Sequence, residues 1–279
     1  MPETLLRWPG GKKRLVKTIL PMIPEHQSYN EPFAGGASVL FAKPPGAHEN
    51  LNDFNPELMR FYRQVKGKTR LTCPISGIKR DAYKKLAHKK SPTACDTIRI
   101  NRCGYFGKKG FGYACDPGGS STRREPKTRS FSDSLKRLRH VTLEEGSFEK
   151  SFRKHDSPGT FTFMDPPYHT PGKATVYDNN KGSVVSPRAV CQLAKRAKGK
   201  VMITYNDHPA VRRECKGLEI KSVPVMYSFR ATTKGGHAGE RNNSRVVRNL
   251  IITNYHPDGR GMPADDPLAY ISAATLVIG

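Results

Sequence analysis

Short apolar runs alternate with helical stretches along most of this 279-residue chain, and this alternation restricts the fold more than any other feature. Strands that alternate with helices are typical of an α/β fold with a mostly parallel sheet. The predicted strands precede residue 31, run into 52–53, and occupy 160–164, 200–205, 218–226 and 246–255. The predicted helices span 12–20, 37–41, 56–65, 131–139 and 187–198. The sequence therefore predicts an α/β domain.

The middle of the chain, residues 66–139, interrupts this alternation and concentrates positive charge. It holds 20 Lys and Arg against 5 Asp and Glu, in a chain whose formal net charge is +24. Such a charge opposes compaction unless a polyanion is the partner, and nucleic acid is the natural one. We expect a small, mainly helical insert with a hairpin-like loop here, flanked by an α/β domain of residues 1–65 and 140–255. Residues 256–279, rich in Pro, Gly, Asp and Ala, predict a weakly ordered tail.

The cysteines and the hydropathy of the chain indicate where it works. Cys95, Cys103 and Cys115 come nearest to a metal-ligand set, but the sequence has no C-x-x-C pair, so no metal site is predicted. No apolar stretch reaches the roughly 20 residues of a membrane span, and the N-terminus lacks the apolar core of a signal peptide. We therefore expect a cytoplasmic protein with reduced thiols and no membrane partner.

The tetrapeptide Asp165-Pro166-Pro167-Tyr168 directly follows the apolar run 161–164. This position brings a carboxylate, a backbone carbonyl and an aromatic ring together at the end of a predicted strand. Open α/β sheets bind their ligands beyond the carboxyl ends of the strands. The tetrapeptide is therefore the first candidate for a functional site, and an ordinary Asp-Pro turn is the alternative.

A glycine-rich turn at residues 31–38 indicates a second ligand site. The turn follows a predicted strand and opens a helix, where backbone amides can approach a ligand. Asp53, at the end of the next predicted strand, can accept hydrogen bonds from ribose hydroxyls. Because the turn lacks the G-x-G-x-x-G pattern and a P-loop lysine, a nucleoside without phosphates fits best. S-adenosylmethionine is such a ligand, and Trp8 and Lys12 are suited to its methionine end.

Together these motifs resemble those of the Dam-type, D12-class DNA adenine-N6 methyltransferases in the alpha arrangement. The segments that carry the resemblance are, in order, Trp8-Pro9-Gly10-Gly11-Lys12, Glu31-Pro32-Phe33-Ala34-Gly35-Gly36, Asn52-Asp53, Asn101-Arg102-Cys103-Gly104-Tyr105-Phe106-Gly107 and Asp165-Pro166-Pro167-Tyr168. Phe106 stands where the family usually has Asn. The resemblance implies a Rossmann-like, seven-stranded methyltransferase sheet with a reversed last strand, placed here at 246–255. It also makes 66–139 the DNA-recognition insert of a catalytic domain.

The same resemblance implies roles for individual residues around S-adenosylmethionine. The expected cofactor-binding residues are Trp8, Lys12, Phe33, Gly35, Gly36, Asp53 and Asp165. Phe54 and Phe148 are further candidates for packing against the adenine of the cofactor.

The expected reaction explains why an Asp-Pro-Pro-Tyr segment suits an amino group. An exocyclic amine is a poor nucleophile because its lone pair is delocalised into the base. Hydrogen bonds from the amine to the Asp165 carboxylate and the Pro166 carbonyl favour a pyramidal nitrogen in the transition state. Tyr168 offers a face for a base that is flipped out of the duplex. Asp165, Pro166 and Tyr168 are therefore the predicted catalytic residues, with Asp165 as an orienting acceptor rather than a strong base.

Contacts to DNA are expected mainly from the insert, because arginine and lysine hold phosphates or pair with guanine edges. The DNA-binding candidates are Arg102, Tyr105, Lys108, Lys109, Arg123 and Arg124 in the insert, and Arg230 in a basic loop before the last strand. The aromatic residues that can enter a groove or fill the gap left by a flipped base are Tyr105, Phe106, Phe111 and Tyr113.

The sequence thus predicts a site-specific enzyme that transfers a methyl group from S-adenosylmethionine to adenine N6 in duplex DNA. We expect a monomer, or a dimer formed transiently on DNA, and a cognate restriction endonuclease is a partner compatible with this role. Three alternatives stay open: methylation of cytosine N4 or of RNA, a catalytically inactive DNA-binding protein of the same fold, and methylation of protein glutamine.

Overall fold

The computed structural model of the chain describes residues 2–8, 10–74, 78–104, 113, 115, 128–168, 185–229 and 243–257. Most of the predicted tail lies outside these residues. So do six DNA-binding candidates: Tyr105, Lys108, Lys109, Arg123, Arg124 and Arg230. By its internal contacts the chain divides into two compact units, Met1–His155 and Asp156–Gly279.

The described chain contains strands and helices in the alternation that the sequence predicts. The strands are β1 (Ser28–Glu31), β2 (His48–Asp53), β3 (Thr72–Pro74), β4 (Thr128–Ser130), β5 (Thr142–Glu145), β6 (Thr160–Met164), β7 (Lys200–Asn206), β8 (Glu219–Phe229) and β9 (Asn243–Thr253). The α-helices are α1 (Val16–Ile19), α2 (Ser38–Ala42), α3 (Pro56–Val65), α4 (Arg80–Ala87), α5 (Ala94–Cys103), α6 (Ser132–Leu138), α7 (Phe148–His155), α8 (Pro187–Arg196) and α9 (Pro209–Glu214). Seven strands form one sheet in the order β5-β2-β1-β6-β7-β9-β8, which confirms the predicted seven-stranded α/β fold.

In the first unit, β1, β2 and β5 are parallel neighbours. Their centre is polar as well as apolar, because the side-chain amide of Asn50 donates to Asn30 Oδ1 across 2.9 Å. Both side chains are buried, so this hydrogen bond offsets the cost of removing the two amides from water. Strand β5 was not predicted from the sequence, since Thr142–Glu145 has no apolar alternation and is a strand through its pairing with β2.

In the second unit, all five residues of β6 are buried, and β6 pairs in parallel with β7. Strand β9 is antiparallel to both β7 and β8, so the reversed last strand is confirmed. Helix α8 begins as its sequence predicts, because the Ser186 side chain accepts a hydrogen bond from Ala189 N and Pro187 occupies the first turn.

The described part of residues 66–139 holds helices α4, α5 and α6 and the antiparallel pair β3–β4. Its small apolar cluster is formed by Tyr83, Ala87, Ile100 and Cys103, with Tyr113 packed against it. Tyr113 stacks at a tilt on Tyr83, 5.6 Å between ring centroids. Tyr113 is thus a packing residue of this cluster rather than a side chain held out towards a groove.

Helix α6 is tied to the parallel strands of the first unit by a buried ion pair. Arg137 donates through both terminal guanidinium nitrogens to the carboxylate of Glu49 on β2, and Lys43 donates to the same carboxylate across 2.6 Å. Burial alone would raise the pKa of Glu49, but the hydrogen bonds from Arg137 and Lys43 outweigh it and hold the pKa below its usual 4.5. The chain that leaves the basic segment is therefore fixed to β2 by charge as well as by packing.

The expectation of reduced thiols is wrong for this structure, in which no described cysteine is free. The disulfides join Cys73 to Cys95, Cys103 to Cys115 and Cys191 to Cys215. Cys95, Cys103 and Cys115, considered above as metal ligands, are all used in this way. Pairing of this kind depends on Cα atoms that the fold brings to about 5 Å, and spacings of 12 to 24 residues do not reveal it.

Two kinds of feature are missing from the residues that the structure describes. None of their helices is both long enough and apolar enough to pass through a bilayer. No group of three or more of their His, Cys, Asp and Glu side chains is arranged to hold a metal ion.

Candidate active site

The glycine-rich turn between β1 and α2 has a backbone that few side chains allow. Gly35 has φ +45° and Ala37 has φ +50°, both in the left-handed region. A Cβ on Gly35 would lie 2.8 Å from Cδ1 of Trp8, because the indole ring lies directly on this glycine. Gly35 is therefore required both by its own conformation and by the close approach of Trp8.

Asp53 closes the other side of this turn at the end of β2. Its Oδ2 accepts a hydrogen bond from Gly35 N (3.0 Å) and its Oδ1 accepts one from Asn55 N (2.9 Å). Burial raises the pKa of Asp53 above its ordinary 3.8, against the opposing effect of these backbone hydrogen bonds. Each carboxylate oxygen has a second lone pair, so Asp53 can still accept hydrogen bonds from a ligand.

The remaining predicted cofactor residues also lie in the first unit, apart from Asp165. Lys12 is only 3% exposed, and its ammonium group donates to the Gly10 carbonyl across 2.8 Å. Phe33 and Phe148 stack on each other with ring centroids 4.9 Å apart, and Phe148 is buried. Phe54 is 48% exposed and offers an open aromatic surface next to Asp53. Acceptors, glycines and aromatic rings of this kind fit a nucleoside with an amino-acid end.

The predicted catalytic residues lie in the second unit, at the carboxyl end of β6. Asp165 is the first residue after this strand, and its Oδ1 accepts a hydrogen bond of 2.8 Å from the hydroxyl of Thr204 on β7. Pro166 is buried, whereas Asp165 and Tyr168 are partly exposed. The structure thus fixes one carboxylate oxygen of Asp165 while the residue remains accessible.

Tyr168 is fixed by a different strand, because its hydroxyl donates to Oδ1 of the fully buried Asn249 on β9. In the β7–β9 ladder, Asn206 lies opposite Asn249 and Thr204 lies two residues away along β7. Since side chains alternate along a strand, Thr204 and Asn249 are on the same face of the sheet. Neither residue was predicted from the sequence. The available signal was a polar residue directly beside an apolar run: Thr204 follows residues 201–203 of β7, and Asn249 precedes residues 250–252 of β9.

The segment Tyr205-Asn206-Asp207 continues β7 beyond this pair. Burial, and secondarily the charge of Asp165, raise the pKa of the Tyr205 phenol, so this side chain remains neutral. Asp207 accepts two hydrogen bonds from Arg212 and one from Ser222 (2.7, 2.8 and 3.0 Å). These contacts stay within the second unit and give Asp207 a structural role.

Arg102, one of the DNA-binding candidates, is buried instead of being presented to a partner. It is 5% exposed and donates to the Leu5 carbonyl across 3.5 Å. Its side chain therefore packs within the first unit, and a DNA contact by Arg102 stays a prediction that would require this side chain to move. The exposed cations of the described basic segment include Lys79, Arg80, Lys84, Lys85, Lys89 and Lys90, on and around α4.

These features define an α/β protein with a glycine-rich turn and an Asp-Pro-Pro-Tyr segment, both at carboxyl ends of parallel strands. The sequence profile of the D12 class N6 adenine-specific DNA methyltransferases matches residues 8–229, and the chain belongs to that family. Membership makes it a site-specific DNA adenine methyltransferase, with DNA as substrate and S-adenosylmethionine as the general methyl donor of the class.

Relatives with curated names agree with this assignment. The chain is 24% identical over 267 residues to the type II methyltransferase M.CviBI of Paramecium bursaria Chlorella virus NC1A, covering 91% of this chain and all of that protein. It is 25% identical to a DNA adenine methylase of Vibrio cholerae, covering 79% and 87% of the two chains. A type II methyltransferase of Lactococcus lactis, M1.LlaDCHI, is 41% identical over 61 residues, which span 22% of this chain and 21% of that protein.

Proposed function

We propose that this chain methylates adenine N6 in duplex DNA by holding the amino group at Asp165 and Pro166, with Tyr168 stacked on a flipped base. The observation that carries the proposal is the hydrogen bond of 2.8 Å from Thr204 to Asp165 Oδ1. It fixes the rotation of the carboxylate, so an amine that binds there meets an acceptor of defined direction. Such preorganised acceptors lower the barrier because they need no reorganisation during the reaction.

The chemistry required of Asp165 is orientation of an amine. The amino group of adenine donates hydrogen bonds to the Asp165 carboxylate and to the Pro166 carbonyl, which favours a pyramidal nitrogen with its lone pair directed away from the ring. The prolines at 166 and 167 restrict the backbone around that carbonyl. The nitrogen acquires positive charge as the new bond forms, so the negative carboxylate stabilises the transition state more than the ground state. The bond between the methyl carbon and the donor sulfur breaks as the bond to nitrogen forms, and the extra proton then passes from the methylated nitrogen to solvent.

S-adenosylmethionine supplies an electrophilic methyl group. In the first unit, Asp53 accepts hydrogen bonds from ribose hydroxyls, and Gly35 and Gly36 allow the backbone to approach closely. Trp8 and Phe33 form apolar walls, and Phe54 packs on the nucleoside base. Lys12 contributes a positive charge near the amino-acid end, from a buried position in which its ammonium group donates to the Gly10 carbonyl.

The basic segment holds the DNA. Exposed lysines and arginines around α4 bind phosphates, and the residues that follow Gly104 contribute the base contacts, with Tyr105, Lys108, Lys109, Arg123 and Arg124 as candidates and Arg230 as another. The protein acts as a monomer or as a dimer formed transiently on DNA, and a cognate restriction endonuclease is a compatible partner. Because its substrate is DNA, its location is the cytoplasm.

The test is nucleoside analysis of unmethylated genomic DNA after incubation with the purified protein and labelled S-adenosylmethionine. We expect N6-methyladenine in the wild-type reaction and none with Asp165→Ala, whose DNA affinity should remain close to wild type. N4-methylcytosine as the product would contradict the adenine assignment. Normal turnover by Asp165→Ala would remove this carboxylate from the mechanism.

A further inference from the structure

Asn101, near the end of helix α5, is bonded to the backbone just before the Trp8 motif. Its side-chain oxygen accepts a hydrogen bond from Arg7 N, and its side-chain nitrogen donates to the Arg7 carbonyl, both at 2.7 Å. The side chain is 5% exposed. A side-chain amide that pairs with both backbone groups of one residue fixes position and orientation together, as a rung of a β-ladder does.

The next residue along the chain extends this link to the glycine-rich turn. Trp8 lies on Gly35 so closely that a Cβ there would meet its indole ring at 2.8 Å. Gly35 in turn donates its backbone N–H to Asp53 Oδ2. Arg7, which Asn101 contacts, is therefore covalently bonded to Trp8, the aromatic residue that covers the turn. The glycine that Trp8 covers is hydrogen-bonded to Asp53.

At its other side, Asn101 belongs to the basic segment. Helix α5 ends at Cys103, and Gly104 forms a β-bridge with Tyr113, so the helix leads directly to the chain between these two residues. The neighbouring Arg102 donates to the Leu5 carbonyl, which adds a second bond between the end of α5 and the same N-terminal stretch of chain. A shift of α5 therefore displaces residues 5–7, and Trp8 follows.

From this arrangement we infer that Asn101 is a positioning residue that couples DNA binding to cofactor binding. DNA that holds the end of α5 in place also holds Trp8 over Gly35. Each ligand therefore tightens the binding of the other. The inference rests on the proposed function, because it takes the turn as the cofactor site and the basic segment as the DNA site.

The experiment measures the affinity of S-adenosylhomocysteine by calorimetry, with and without fragmented unmethylated genomic DNA. For the wild type we expect DNA to tighten binding at least about fivefold, the low end of typical couplings. Asn101→Leu is similar in size and removes both hydrogen bonds. In this variant, DNA should therefore tighten the binding of S-adenosylhomocysteine by less than about twofold. Because coupling is reciprocal, S-adenosylhomocysteine should tighten DNA binding by the same factor by which DNA tightens the binding of S-adenosylhomocysteine.

Gln64→Leu is the matched control. Gln64 on α3 donates to the carbonyl of Pro92, which precedes α5, across 3.2 Å. This variant therefore also removes a hydrogen bond to the basic segment, but it leaves the contacts of Arg7 intact. It should keep the wild-type coupling factor. If thermal unfolding shows that Asn101→Leu does not fold, Asn101→Asp replaces it, because Asp retains the acceptor for Arg7 N and loses only the donor. Its factor should be lower than that of the wild type.

The outcomes separate the inference from the proposed function. A wild type that does not bind S-adenosylhomocysteine at all contradicts the proposed function. A wild type that binds it equally with and without DNA overturns the coupling alone. A folded Asn101 variant with the full wild-type factor also overturns it.

Discussion

The Thr204 hydroxyl on β7 donates a hydrogen bond of 2.8 Å to Asp165, the first residue after the neighbouring strand β6. Thr204 is fully buried, so its hydroxyl has little else to bond and its direction is fixed by the strand. The carboxylate that the Asp-Pro-Pro-Tyr segment presents is thereby oriented by a residue outside that segment.

Removal of this hydrogen bond should slow methyl transfer without weakening cofactor binding. Thr204→Val keeps the shape of the side chain and loses the donor, and hydrogen bonds to charged groups are worth about 1.5–3 kcal/mol. We expect kcat to fall about 10- to 100-fold with KM for S-adenosylmethionine unchanged, and Thr204→Ser to restore most of the rate. Single-turnover kinetics measure this. Equal loss in both variants would indicate a packing role instead.

The contribution of Tyr168 to the rate of methyl transfer should come from its ring more than from its hydroxyl. Tyr168→Phe keeps the stacking surface and loses only the bond to Asn249, whereas Tyr168→Ala loses a stack worth roughly 1–3 kcal/mol. We expect kcat within about fivefold of wild type for Phe and a loss of roughly 10- to 100-fold for Ala. Fluorescence of 2-aminopurine at the target position should report weaker base flipping in the Ala variant only. A Phe variant as impaired as Ala would refute stacking as the main role.

The buried ion pair of Glu49 with Arg137 should stabilise the first unit. Glu49→Gln leaves the Arg137 and Lys43 charges buried without a counter-charge, so we expect a loss of about 3–5 kcal/mol in the free energy of unfolding. Glu145→Gln, which breaks the exposed pair with Arg63, is the control and should cost less than about 1 kcal/mol. Urea unfolding at neutral pH compares the two variants.

The same pair predicts a dependence of stability on pH. The pKa of Glu49 is lower in the folded protein than its usual 4.5, so its contribution is fully present above pH 4.5. The contribution is lost as the pH falls from 4.5 through the folded pKa. The wild type should therefore lose stability over this acid range more steeply than Glu49→Gln. Parallel pH profiles of the two proteins would show that Glu49 does not titrate with folding.

The disulfide between Cys73 and Cys95 should stabilise the basic segment. It closes a loop with a sequence separation of 22, for which loop entropy predicts roughly 3 kcal/mol. A Cys73→Ser, Cys95→Ser double variant should show faster amide exchange in α5 and a lower midpoint of thermal unfolding. Thiol titration of wild-type protein, denatured without reductant, should find no free thiol. A titre of six thiols would instead support the reduced state that the sequence predicted.

The exposed lysines around α4 should carry the salt dependence of DNA binding. Replacing Lys84, Lys85 and Lys90 with Gln should reduce the slope of log affinity against log salt by about 2–3, close to 0.9 for each phosphate that the variant no longer neutralises. The control is replacement of Arg188, Arg196 and Lys198, three exposed cations of the second unit, with Gln. Fluorescence anisotropy over a salt series measures both. An equal change in the two triple variants would mean that net charge alone drives binding.

Much of the fold was predictable because its strands and helices are encoded by local patterns. The apolar run of β6 is buried throughout, and the Ser186-Pro187 start of α8 forms as expected. Strand β5 was missed, since its residues are held by pairing with β2 and not by their own alternation. The burial of Arg102 was not predictable for a related reason, because its charge suggests a surface position while its place on α5 brings it to the Leu5 carbonyl.

By itself, the sequence determined the family, the Asp-Pro-Pro-Tyr segment at Asp165 and the glycine-rich turn before Asp53, because these features are short, contiguous and placed at strand ends. Only the tertiary structure determined which residues orient them. Thr204 and Asn249 lie 39 and 81 positions from the side chains they bond, and Asn101 lies 94 positions from Arg7. Hydrogen bonds over such separations depend on strand register and helix packing, so they become visible only when the folded chain brings the two partners together.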